Sequence, residues 1–135
     1  MTLPDRPEQN VYGYAEPIWQ RFRAPRHAGR LAPGPRVVVA EAGSAAARSL
    51  LRLHAELDDA GQVSRARFQA YGCPTAIAVG EWLAERLEDT PRAGWAALDA
   101  ATIRELLEIA EDKAHCALMG EDVLRALLQT MSGRP

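Results

Sequence analysis

Apolar residues change their spacing twice along the chain, and the two changes divide it into three regions. Between Tyr14 and Arg23, Ile18, Trp19 and Phe22 fall at helical spacing, with Pro17 tolerated in a first turn, which predicts a short amphipathic helix. Pro25, Gly29, Pro33, Gly34 and Pro35 then interrupt any regular pattern. The second region has the period of strands. Arg36–Ala40 is a β-branched run, and Leu51, Leu53, Ala55 and Leu57 alternate with Arg52, His54 and Glu56 as in a sheet with one wet face. Asp58-Asp59-Ala60-Gly61 supplies a turn, and Val63–Tyr71 completes an antiparallel meander.

From Pro74 onward the period is helical again. Pro74 suits a first helical position and leaves Cys73 at the N-cap; Ile77, Gly80, Leu83, Ala84 and Leu87 make one face. Asp99 is placed to cap a second helix carrying Ile103, Leu106 and Leu107, and Asp112 a last one with Cys116, Val123, Leu127 and Met131 on its apolar face. The expected fold is α+β: a three-stranded antiparallel sheet with helices packed on one face. Residues 1–11 read as a flexible lead-in, 12–131 as a single domain and 132–135 as a tail.

A chain of 135 residues can bury a core without disulfides. Its formal net charge of -2 gives no footprint for nucleic acid, although Arg21, Arg23, Arg26, Arg30 and Arg36 make the N-terminal third basic. No apolar run reaches the roughly 20 residues of a membrane span, and the opening residues lack a signal-peptide segment, so a cytoplasmic protein is expected. In that reducing compartment the two cysteines are expected to act as ligands or nucleophiles rather than as a bridge.

Cys73 follows Tyr71-Gly72 and precedes a helix, where free backbone N–H groups and the helix dipole favour a thiolate. Its alternative is a small buried packing residue. Lys113-Ala114-His115-Cys116 joins a cation, an imidazole and a thiol at a second predicted helix start, a ligand mix suited to zinc or iron. His27, in a Pro/Gly-rich loop, and His54, on the predicted wet strand face, are weaker candidates. A thiol enzyme with Cys73 as nucleophile and His115 as base lacks an identifiable oxyanion donor or orienting acid.

These segments resemble the IscU/NifU-type iron-sulfur cluster assembly scaffolds. Tyr14-Ala15-Glu16 through Pro25-Arg26-His27-Ala28-Gly29 is similar to the family's tyrosine-led helix and Pro-Arg-Asn-x-Gly loop. Ala66-Arg67-Phe68 through Gly72-Cys73 to Ala76-Ile77-Ala78 resembles its central segment, and Lys113-Ala114-His115-Cys116 its Lys-x-His-Cys. The resemblance runs from about Tyr12 to Leu128 and implies a SufE/NifU-like, IscU-like fold. It also shows losses. Counted back from Ala66 without a gap, the family's Cys-Gly-Asp falls on Ala47, Arg48 and Ser49, and its chaperone-recognition Leu-Pro-Pro-Val-Lys on Ile109–Lys113, where only the lysine remains.

The resemblance implies a non-enzymatic scaffold or carrier that binds iron, zinc or a transient iron-sulfur cluster through Cys73, His115 and Cys116, with Lys113 beside them. Those three fall short of the roughly four ligands of a zinc or two-iron site. Water, a small thiol, Glu41, Asp112 or a second subunit sharing the cluster would complete it, and a metal-free protein stays open. The implied partners are a cysteine desulfurase and a second copy or a true scaffold, with chaperone recognition in doubt. The alternative of another class is an interaction module that docks a desulfurase or a true scaffold without holding metal.

Overall fold

The computed structural model describes residues 13–44, 46 and 48–132. The expected lead-in at 1–11, the last three residues of the expected tail, and Ala47 lie outside them. Helix α1 spans Glu16–Arg23; strands β1 (Val37–Ser44), β2 (Ser49–Leu57) and β3 (Val63–Tyr71) follow; helices α2 (Pro74–Asp89), α3 (Ala100–Leu107) and α4 (Ala114–Ser132) close the chain. The strands form one antiparallel sheet in the order β1-β2-β3. Helices α2 and α4 lie on one face of it, so the meander and its helical cover are as the hydrophobic pattern predicts.

Leu51, Leu53 and Ala55 of β2 point into the helix layer and are fully buried. On β3 the inward residues are Val63, Ala66 and Phe68, three and then two apart, because the ladder shifts between Glu56 and Leu57. That bulge resets which side chains face the core, so strict alternation fails at the start of β3. Strand β1 runs four residues past the predicted run. Gly43 makes this possible: it has φ +89, and a Cβ there would sit 2.2 Å from the Ser49 carbonyl oxygen and 2.9 Å from Met119 Sδ of α4.

Helix α2 is the centre of the molecule, with α1 and α4 beside it and the sheet beneath. Gly80 lets it approach the sheet, since a Cβ at that position would lie 2.4 Å from Phe68 Cδ2 and 2.9 Å from Leu51 Cδ1. Gly80→Ala is therefore expected to destabilise the protein. Overpacking costs about 1–3 kcal/mol, which exceeds the roughly 1 kcal/mol gained in helix propensity. A lower urea midpoint with an unchanged slope is the expected readout, and an unchanged or higher midpoint contradicts the close approach.

The irregular connection after α1 is fixed by side chains the hydrophobic pattern does not reveal. The Phe68 N–H donates to the His27 carbonyl and the Gly29 N–H to the Phe68 carbonyl, at 3.0 and 2.8 Å, making a parallel bridge along β3. Glu81, fully buried on α2, accepts from the His27 backbone N–H at 2.7 Å and pairs with its Nδ1 at 2.6 Å. Glu88, two turns on, pairs with His27 Nε2 at 2.8 Å and accepts from the Ala66 N–H at 2.8 Å. Burial opposes the imidazolium, but the hydrogen bonds and charges of Glu81 and Glu88 outweigh it, and the His27 pKa is raised. Nearby, Arg21 of α1 grips Glu85 of α2 through two bonds at 3.1 and 3.0 Å.

Three expectations need correction. His54 does face away from the helices, yet it is only 6% exposed, because its strand neighbours close over it and Gln69 Oε1 meets its Nε2 at 2.8 Å. Leu106 is exposed, Ile103 and Leu107 alone carrying the buried face of α3. Asp99 does cap α3, accepting from the Thr102 N–H at 2.9 Å, but Asp112 caps nothing. The last helix is entered through a tight turn, Glu111–Lys113, whose N-cap is Ala110 without any side-chain bond.

Candidate functional site

Cys73 and Cys116 come together where three segments meet. Cys73 is the N-cap of α2 and Pro74 its first residue, as the local sequence dictates. Cys116 lies near the start of α4 and faces inward, fully buried. The two Sγ atoms are 3.9 Å apart. The bond to Cys116, with the N–H groups of Ala76 and Thr75 and the Lys113 charge, brings the Cys73 pKa down to about 4 despite desolvation. The same bond, burial and the Cys73 charge push Cys116 up. The shared bond therefore drives the two sulfurs in opposite directions, Cys73 toward the thiolate and Cys116 toward the thiol.

The rim comes from the β1–β2 connection. A Cβ on Gly72 would lie 3.4 Å from Ser49 Oγ and 3.7 Å from the Arg48 carbonyl oxygen, so this connection abuts the turn that carries Cys73. Arg48 has φ +57, a left-handed conformation that favours glycine, and it occupies the position of the central residue of Cys-Gly-Asp in the gap-free count. Ala47, where that count puts the first cysteine, lies outside the described residues. A cleft of about 400 Å³ opens between Tyr14, Ile18, Thr75, Glu108, Asp112 and Lys113, reaching the first turn of α2 at Thr75 without being lined by Cys73 itself.

The remaining predicted ligands do not join the pair. Among the described residues no group of three His, Cys, Asp or Glu side chains is arranged to hold a metal ion. His115 is exposed, because neighbouring residues on a helix point about 100° apart and Cys116 takes the inward direction. Glu41 is engaged with Arg52 at 3.2 Å on the sheet face away from the helices. Asp112 is exposed at the cleft. What sequence reasoning missed is the His27–Glu81–Glu88 group. Its signal was present: Glu81 interrupts the apolar run Ala76–Leu83, and Glu88 follows seven residues later on the same helical face.

A three-stranded meander under a helical layer, with a cysteine at the strand-to-helix mouth and another on the last helix, defines a class of small scaffold domains. The family model described as the NifU-like N terminal domain matches residues 13–135, and the chain belongs to that family. It is 28% identical over 116 residues to the iron-sulfur cluster assembly scaffold protein IscU of Haemophilus influenzae, covering 85% of this chain and 92% of that one. It is 28% identical over 131 residues to the nitrogen fixation protein NifU of Nostoc; these are 93% of this chain but only 44% of NifU. The fold is also that of an N-terminal NifU-like protein crystallised from Brucella abortus, with TM-score 0.70 at 16% identity over 90% of this chain and 95% of the other. No helix among the described residues is long and apolar enough to cross a membrane.

Proposed function

We propose that this protein is a divergent carrier in iron-sulfur cluster assembly that takes iron, zinc or a cluster as cargo on Cys73 and Cys116. The observation that carries the reading is the 3.9 Å between the two sulfurs. Thiolates bound to one tetrahedral metal at about 2.3 Å stand about 3.8 Å apart. Two thiolates supply half of a four-ligand shell, and His115, adjacent to the buried cysteine and free to solvent, is the third donor offered by the chain. Lys113 flanks the pair with positive charge, which suits an anionic thiolate cluster better than a bare cation. A site so open favours exchange over permanent residence. Anaerobic reconstitution with iron and sulfide, or loading with zinc, followed by metal and acid-labile sulfide analysis, tests this. Stoichiometric cargo is expected, and protein that stays metal-free under both treatments overturns it.

A second reading keeps the fold and gives up the metal: a module docking a cysteine desulfurase or a true scaffold. The absence of a third converging ligand among the described residues favours it. Desulfurase capture by the protein with both cysteines replaced is the result expected of such a module. Capture by neither that form nor the unmodified protein removes its basis.

A further inference from the structure

We infer that Cys73 and Cys116 also form a thiol–disulfide exchange pair, with Cys73 as the attacking and Cys116 as the resolving sulfur. The substrates are low-molecular-weight disulfides. This goes beyond cargo binding and does not depend on it.

The arrangement divides two roles between two unequal cysteines. Cys73 is half-buried, so a small disulfide can reach it, and the Thr75 and Ala76 N–H groups at the start of α2 are directed at its sulfur. Cys116 is 0% exposed, so a reagent in solution cannot reach it. It lies 3.9 Å behind Cys73, within reach of any disulfide formed there. Closing the bond requires an approach of about 2 Å, since the sulfurs of a disulfide lie about 2.05 Å apart. Rotation of the half-buried Cys73 side chain about its Cα–Cβ bond can provide most of this. A cleft of about 400 Å³, lined by Thr75 and Lys113 with Glu108 and Asp112 also on its wall, opens two residues from Cys73 and offers space to the leaving half of the substrate.

The two steps balance. The Cys73 thiolate attacks one sulfur of RSSR, forming a Cys73–SR mixed disulfide and releasing RS⁻. Cys116 then loses its proton to solvent or to that thiolate and attacks Cys73 Sγ, forming the Cys73–Cys116 disulfide and releasing the second RS⁻. The protein is oxidised by two electrons and the small disulfide is reduced to two thiols. Dithiothreitol reverses the sequence.

Metal-free protein incubated with oxidised glutathione, and separately with dithionitrobenzoate, tests the assignment by intact mass and released thiol. The unmodified chain is expected to lose its two cysteine hydrogens, to carry no adduct and to release two small thiols per chain. Cys116→Ser is expected to hold a stable Cys73 adduct and release one. Cys73→Ser is expected to react at least about 100-fold more slowly, as a buried thiol does. A stable adduct on the unmodified chain, or comparable reaction of Cys73→Ser, overturns the assignment. Circular dichroism of the serine variants guards against a loss of fold, and Cys73→Ala, which leaves the core cysteine in place, serves as the second variant if Cys73→Ser unfolds. Cargo loading is measured on the reduced protein, so failure of one result leaves the other standing.

Discussion

Cys73→Ala protein, reconstituted under the conditions that load the unmodified chain, is expected to lose stoichiometric iron and sulfide while keeping its fold. Cys73 is only half-buried, so its removal empties little of the core and costs little stability. Its sulfur is nevertheless the accessible half of the pair. Changes in the outer shell of a metal site cost about 10–100-fold in affinity, so loss of one of two thiolates should exceed about 100-fold. Cys116→Ala should abolish loading equally, with an added core penalty on the order of 1 kcal/mol for the emptied space. His115→Ala separates two versions of the site. A partial loss makes the imidazole a working third donor, and full retention assigns the cargo to the two sulfurs alone. Undiminished cluster in both cysteine variants would sink the cargo reading.

The largest effect on stability is expected from Glu81→Ala. That carboxylate is 1% exposed and holds both the backbone and the ring of His27, so its loss leaves the His27 N–H without its acceptor and the ring with Glu88 alone. Breaking a buried ion pair costs about 3–5 kcal/mol; the lower end applies here because the His27 side chain keeps 16% exposure. Equilibrium urea unfolding measures it, and a change below about 1 kcal/mol would mean that the backbone bridge to Phe68 holds the loop without the carboxylate.

The same group sets a pH window. His27 has a raised pKa, so its stabilisation is complete below its ordinary value of 6.5 and fades as pH climbs through the raised one. The Glu88 carboxyl is desolvated, which opposes ionisation, but the Ala66 N–H and His27 more than compensate and lower it. Its stabilisation is complete above 4.5 and fades as pH falls through the lowered value. Stability should therefore be flat between these limits and decline on both sides. His27→Asn, the residue of the related loop motif, should keep the loop in place and remove the alkaline decline.

The strands and the N-cap position of Cys73 were legible because they follow from local rules: alternation on β2, a turn at Asp58–Gly61, proline at the first position of α2. The joining of Cys73 to Cys116 was suggested only by resemblance, since no periodicity links residues on separate elements. What the sequence could not show depended on tertiary neighbours. His54 lies on the outward face as alternation requires, but its burial comes from side chains on adjoining strands. His115 and Cys116 looked like one ligand cluster in the linear chain, and a helix necessarily turns them apart. The His27 staple spans 54 residues to Glu81 and 61 to Glu88, beyond the reach of any local pattern.

The two sulfurs belong to segments separated by 43 positions, one at the end of the meander and the other on the closing helix. Neither segment alone contains a site. Cargo retention thus becomes a reporter of whether α4 is docked on α2: a peptide spanning the Cys73 turn should bind metal no better than a free thiol. Any partner able to lift α4 would discharge the protein without touching a ligand.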